Sequence, residues 1–141
     1  MFAIAGWKTA YAAQPVIFKP AAEFTAQGTI VDFVTMIEGF SRVNTDIAQI
    51  DLNNDDIYEY IVKNTRCTPA KGCTYLIVAQ NKDDYTIIGT FSGKNISISD
   101  KQTHGIRDIL VYNKNLNDYQ HNTLKWNMQK MQYDFNQEQA G

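Results

Sequence analysis

Between residues 46 and 135 the chain is a succession of short β-rich runs, and the stretches joining them are mostly too brief to hold anything but a turn. The runs cover 46–52, 57–63, 74–80, 85–91, 96–99, 106–112 and 124–135, and β-branched and aromatic residues dominate them. The joining stretches include NNDD, NKDD and SGKN, followed by the longer DKQTHG and NKNLNDYQHN. Asn, Asp and Gly in such positions tolerate the backbone angles that tight turns need. Parallel strands require a crossover of roughly a dozen residues or more, commonly a helix, and there is no room for one here. The expected sheet is therefore antiparallel, with consecutive strands joined as hairpins.

Ahead of these runs, Ile30, Phe33, Val34 and Ile37 recur at helical spacing while Asp32, Thr35 and Glu38 project elsewhere. This pattern predicts a helix within 21–40 that ends near Gly39, with a strand over 29–34 as the alternative. In the 57–63 run apolar residues occupy both alternating sets, which places that strand centrally, with the helix on one side. The fold class expected is α+β: an antiparallel β-meander sheet of six or seven strands with one N-terminal helix packed against it.

At 141 residues the chain suits one core, expected over 14–136, with 137–141 as a polar tail. A net charge of -2 without clustered Lys and Arg argues against a nucleic-acid partner. No stretch is long and apolar enough to predict a bilayer-spanning segment. Residues 2–6 are apolar and Ala10, Tyr11 and Ala12 form an A-x-A pattern, so 1–13 reads as part of a signal segment, a frayed N-terminal tail being the alternative. Cys67 and Cys73 flank a short loop containing Pro69 and Gly72, which allows them to meet as a disulfide. A zinc site would need further Cys or His ligands nearby. An oxidised pair agrees with export, because disulfides persist mainly outside the cytosol. The expected location is periplasmic or secreted.

The most specific chemical motif is DLNNDDIYEYIV, in which Asp51, Asn53 and Asp55 alternate and Glu59 follows. Together with the backbone carbonyl of Ile57, these five residues could offer hard oxygen ligands to Ca²⁺, which takes roughly six to eight. Position six of the loop is Asp56 where Gly is usual, and a left-handed residue bearing a side chain costs roughly 1 kcal/mol. Position twelve is Val62, so the motif is no EF-hand. A polar hairpin turn that satisfies its own backbone without metal is the competing reading.

This motif, with CTYLIV, IIGTF, HGIRDILVYN and a Trp-bearing final strand, resembles a group of secreted bacterial proteins. These carry one DLNGDGxxE-like loop, similar to the FG-GAP calcium loops of integrin-type repeats, followed by a β-meander. Some members of the group resemble periplasmic inhibitors or immunity proteins directed against peptidoglycan hydrolases. The resemblance implies a non-enzymatic binding protein that occludes a cell-wall hydrolase, and it brings no catalytic residues with it. Candidate partner-binding residues are His104, Arg107, Tyr112, Tyr119 and Trp126, since aromatic groups bury large areas at low entropic cost. Two rivals stand beside this expectation. One is a calcium-stabilised structural domain of an envelope or secretion assembly, and the other is a small hydrolase using His104 and Asp108.

Overall fold

The computed structural model describes residues 14–27, 29–68, 72–82, 84–112 and 121–135. Among these residues, ten strands form two five-stranded sheets, antiparallel throughout. The first sheet is ordered β2 (Lys19–Pro20), β3 (Thr45–Ile50), β4 (Glu59–Asn64), β5 (Cys73–Asn81) and β6 (Asp84–Gly93). The second is ordered β1 (Gln14–Pro15), β7 (Asn95–Thr103), β8 (Ile106–Tyr112), β9 (His121–Asn127) and β10 (Gln132–Phe135).

The central strands β4 and β5 of the first sheet are buried on both faces, as the two apolar sets of β4 anticipate. Register pairs Ile61 with Ile77 and Val62 with Leu76, so neighbouring side chains on each strand point to opposite sides. Ile61, Tyr75 and Ile77 pack with Ile98, Ile109 and Leu124 of the second sheet, forming the sandwich core. Their alternates Tyr60, Val62, Leu76 and Val78 pack with Ile30, Val31 and Val34 of helix α1 (Thr29–Thr35). Ile61, Val62, Ile77 and Val78 are fully buried. At about 1.5–3 kcal/mol for each such side chain, both layers contribute substantially to holding this sheet.

The helix is shorter than the expected span of 21–40. Ala21–Gln27 is 3₁₀, and α1 gives way after Thr35 to i→i−3 bonds, Met36 N to Phe33 O at 3.3 Å and Ile37 N to Val34 O at 3.0 Å. Gly39 then turns the chain at φ 92°, in the left-handed region glycine enters most readily. Ile30 and Val34 of the stripe are fully buried, and Val31, outside the stripe, is equally so. Two short strands that the sequence reading did not anticipate precede the helix. Each carries a proline at the edge of a sheet, where a missing N–H donor is tolerated. Val16 and Phe18, between them, pack against the sandwich core, so this segment straps the two sheets together.

The single sheet of six or seven strands is corrected to two sheets of five, and the reason lies at residues 93–95. SGKN reads as a hairpin turn, yet β6 and β7 do not pair: the chain leaves one sheet at Gly93 and enters the other at Asn95. Lys94 N donates to Tyr112 O at 2.8 Å across this corner. A Cβ on Gly93 would lie 2.5 Å from Val111 Cγ1, and one on Gly72 would lie 2.6 Å from the Gly93 carbonyl. Beside the corner, Cys67 and Cys73 form the expected disulfide, with Cα atoms 4.6 Å apart, and no described cysteine is free. The run at 124–135 is also corrected. It is two strands, because Asn127 Oδ1 accepts the N–H groups of Gln129 and Lys130 at 3.0 and 3.1 Å and Met131 adopts φ 55°.

No helix among the described residues is long and apolar enough to cross a membrane. The expected signal segment at 1–13 and tail at 137–141 lie outside the described residues. Gly93→Ala should lower stability by roughly 1–3 kcal/mol, the usual effect of forcing extra atoms into a close-packed core. Urea denaturation of the oxidised protein measures this; an unchanged midpoint would mean the corner has slack.

Candidate functional site

Strand register sorts the connections between two ends of the sandwich. The cystine loop, the 93–95 corner and the Tyr112–His121 pair lie at one end. Loop 51–58, the β5–β6 turn, the His104–Gly105 turn and the 128–131 turn lie at the other. At that second end Leu52 O accepts the Arg107 N–H at 2.8 Å, so the loop is fastened to the opposite sheet.

Within the loop, Asp51 organises the backbone. Its Oδ2 accepts Asp56 N–H at 2.9 Å and its Oδ1 accepts Asp55 N–H at 3.2 Å, while Asp55 Oδ1 accepts Ile57 N–H at 2.9 Å. Asn54 and Asp56 take φ 61° and 65°, left-handed angles that Asn and Asp tolerate better than most residues. Desolvation is the largest single influence on the Asp51 carboxyl and pushes its pKa up. The N–H groups of Asp56, Asp55, Asn53 and Asn54 outweigh it together and hold the pKa below the ordinary value. Past this braced turn, Ile57 and Tyr58 are 48% and 53% exposed. Tyr58 stands between two clefts, one of about 500 Å³ bordered by Gln49, Tyr60, Gln80 and Tyr85, the other of about 400 Å³ bordered by Gln14, Ile17, Asp51 and Arg107.

Glu59, the first residue of β4, turns inward instead. It is only 6% exposed, and its Oε1 accepts Leu52 N–H at 2.7 Å. Burial is the main cause that raises its pKa; the Leu52 N–H opposes the rise, and the negative charges of Asp55 and Asp51 add to it, giving a value of about 7. Glu59 borders a half-open cavity of about 150 Å³ together with Asn53, Ile106, Trp126 and Tyr133. Trp126 and Tyr133 meet edge to face, 87° apart with ring centroids at 5.7 Å. The Tyr133 hydroxyl donates to Arg107 O at 2.7 Å, and burial raises its pKa.

The five residues expected to hold calcium are thus divided. Asp51 borders the outer cleft, Asn53 and Glu59 border the inner cavity, and Asp55 and Ile57 are exposed. Among the described residues, no three His, Cys, Asp or Glu side chains are arranged to hold a metal ion.

The partner-binding candidates are also spread out. His104 forms a two-residue turn with Gly105, both left-handed, at φ 55° and 81°, the geometry that suits a tight hairpin. Asp108 is buried and accepts the Thr103 hydroxyl at 2.7 Å, with no hydrogen bond joining it to His104 among the described residues. The Arg107 guanidinium donates from Nε to Ser99 O at 3.0 Å and from Nη2 to Gln14 Oε1 at 3.1 Å. Trp126 shares the end of the sandwich where His104 and Arg107 lie. Tyr112 lies at the opposite end against His121, with ring centroids 5.5 Å apart, and Tyr119 lies outside the described residues. The sequence reading missed the cavity around Glu59; a lone carboxylate inside the apolar run IYEYIV was its signal. The comparisons with family models, curated proteins and solved structures found no match to this chain.

A carboxyl with a pKa near 7 has a definite linkage sign. The unfolded chain releases the Glu59 proton near pH 4.5 and the folded one near 7, so this group's contribution to stability falls as pH rises between those values and then levels off. Gln can still accept the Leu52 N–H. Glu59→Gln should therefore gain urea midpoint relative to wild type as pH is raised from 5 to 8, and a pH-independent difference would contradict the assignment.

Proposed function

We propose that this chain is a non-enzymatic, extracytoplasmic binding protein that engages a protein partner through loop 51–58, and that the partner is a cell-wall hydrolase whose cleft the loop occludes. The observation carrying this reading is the exposure of Ile57 and Tyr58 on a loop that Asp51 and Asp55 brace from within and Leu52 anchors to the sandwich. An aromatic side chain on a braced turn buries area at little cost in ordering, which favours association. The exposed side chains Met128 and Met131 extend the apolar character of the same end. The Cys67–Cys73 bond supports an oxidising location. Two features favour binding over turnover: Asp108 is engaged with Thr103, and Arg107 is tied to Ser99 and Gln14. The choice of a hydrolase follows the sequence resemblance, and the acidic loop suits a basic cleft.

The test is inhibition and capture. Immobilised protein incubated with envelope extract should retain a peptidoglycan-cleaving enzyme, and a stoichiometric excess should stop that enzyme's lysis of purified cell walls. The double substitution Ile57→Ser, Tyr58→Ala should weaken capture at least tenfold with the fold intact. Undiminished lysis, or capture unaffected by the double substitution, would overturn the reading.

A second reading, a calcium-stabilised envelope domain, draws on Asp56, which supplies at loop position six the left-handed φ that glycine usually provides. Asp51, Asn53, Asp55 and the Ile57 carbonyl would hold the ion, and Glu59 could join them through Oε2 while Oε1 keeps the Leu52 N–H. The ion would supply structural stabilisation alone. On this reading 5 mM Ca²⁺ raises the melting temperature by several degrees and Asp55→Asn removes the rise. On the first reading calcium leaves the melting temperature unchanged.

A further inference from the structure

The cavity beside Glu59 has a composition that packing alone does not call for. Ala79 and Ile88 of the first sheet and Ile106, Trp126 and Tyr133 of the second make it largely apolar, with Asn53 exposed at its lip. Glu59 on its wall is nine-tenths buried, its Oε1 accepts the Leu52 N–H at 2.7 Å and its own backbone N–H also favours the charged carboxyl, while among the described residues no other residue hydrogen-bonds Oε2. Among the described residues, no Lys, Arg or His borders the space. Arg107, next in sequence to the lining residue Ile106, directs its guanidinium to Ser99 O and Gln14 Oε1. A buried carboxylate without a counter-charge is costly unless a partner compensates it.

From this arrangement we infer that the cavity is a binding site for a primary ammonium group carried on a short alkyl chain. An anion would be repelled by ionised Glu59, and a purely apolar guest would leave its polar oxygens without a partner. A primary ammonium presents a compact charge with donors for the open oxygen, whereas a planar guanidinium needs a two-pronged acceptor. The two rings set at right angles supply surfaces against which a cation and its methylenes gain further attraction. About 150 Å³ accommodates a chain of a few carbon atoms, the size of a lysine side-chain end. The ammonium has two natural sources, a free alkylamine or a lysine side chain of a protein docked on the same end. The inference holds for either and does not depend on the proposed hydrolase partner.

Titration of the folded, oxidised protein with n-butylammonium chloride at pH 8, followed through the indole N–H resonance of Trp126, tests the site directly. The account expects a saturable shift, an affinity at least tenfold weaker for n-butanol, and an at least tenfold loss on Glu59→Gln. Ala79→Leu, which fills the cavity and leaves the carboxylate in place, should also abolish the shift, so the result does not hang on one variant's folding. Nα-acetyl-lysine methylamide separates the sources: a saturable shift shows that a backbone-borne lysine reaches the carboxylate, and its absence restricts the site to free amines. Equal binding of the alcohol and the amine, affinity unchanged by Glu59→Gln in a folded variant, or no saturable shift with n-butylammonium would each overturn the proposal.

Discussion

Burial of the central strands β4 and β5 on both faces is the constraint from which the rest of the structure follows. A sheet with one wet face could end in hairpins at either edge. This one must be covered twice, by α1 on the Val62 and Val78 side and by the second sheet on the Ile61 and Ile77 side. The chain supplies both covers from its own ends, α1 before the sheet and β7 to β10 after it. The passage from one sheet to the other must be tight, and it is made at Gly93, where a side chain would collide with Val111. The disulfide closes the loop whose Gly72 lies against that same glycine, so covalent and steric constraints coincide at one end.

The order of the opposite end comes from hydrogen bonds that the double-faced sheet holds in register. Glu59 is carried inward because it begins β4 on the sandwich side, in the alternating set of Ile61. Once buried, it captures the Leu52 N–H and draws the base of the loop down, while Leu52 O meets Arg107 of the second sheet. The loop tip, braced by Asp51, is then left to present Ile57 and Tyr58 outward. Glu59 points in by the alternation of β4, whereas Ile57 and Tyr58 lie ahead of the strand and are exposed on the loop.

Much of this was legible in the residues, and the failures have physical causes. The run at 106–112 matches β8, and the other runs from 46 to 99 fall on strands to within a few residues at their ends, because apolar and β-branched content is a local property. The division into two sheets was not legible, since a one-residue sheet crossing and a hairpin turn use the same glycine- and asparagine-rich vocabulary. Which strands pair is a non-local matter. The split between β9 and β10 was hidden because Asn127 makes its turn by side-chain capture of two N–H groups, with neither Gly nor Pro to mark it. Among the site residues, Asp51, Asn53, Asp55, Ile57 and Glu59 were singled out as one set. That Glu59 turns inward while Asp55 and Ile57 stay exposed depends on strand phase, and a spacing rule does not carry phase.

The hydrogen bonds of Asp51, Asp55 and Leu52 should make loop 51–58 a rigid, preformed projection of the sandwich. Backbone ¹⁵N relaxation on the free protein measures this without any partner. Order parameters for residues 52–58 near the ~0.85 of rigid backbone are expected, level with those of β4 and β5, whereas values below about 0.6 across the loop would contradict the account.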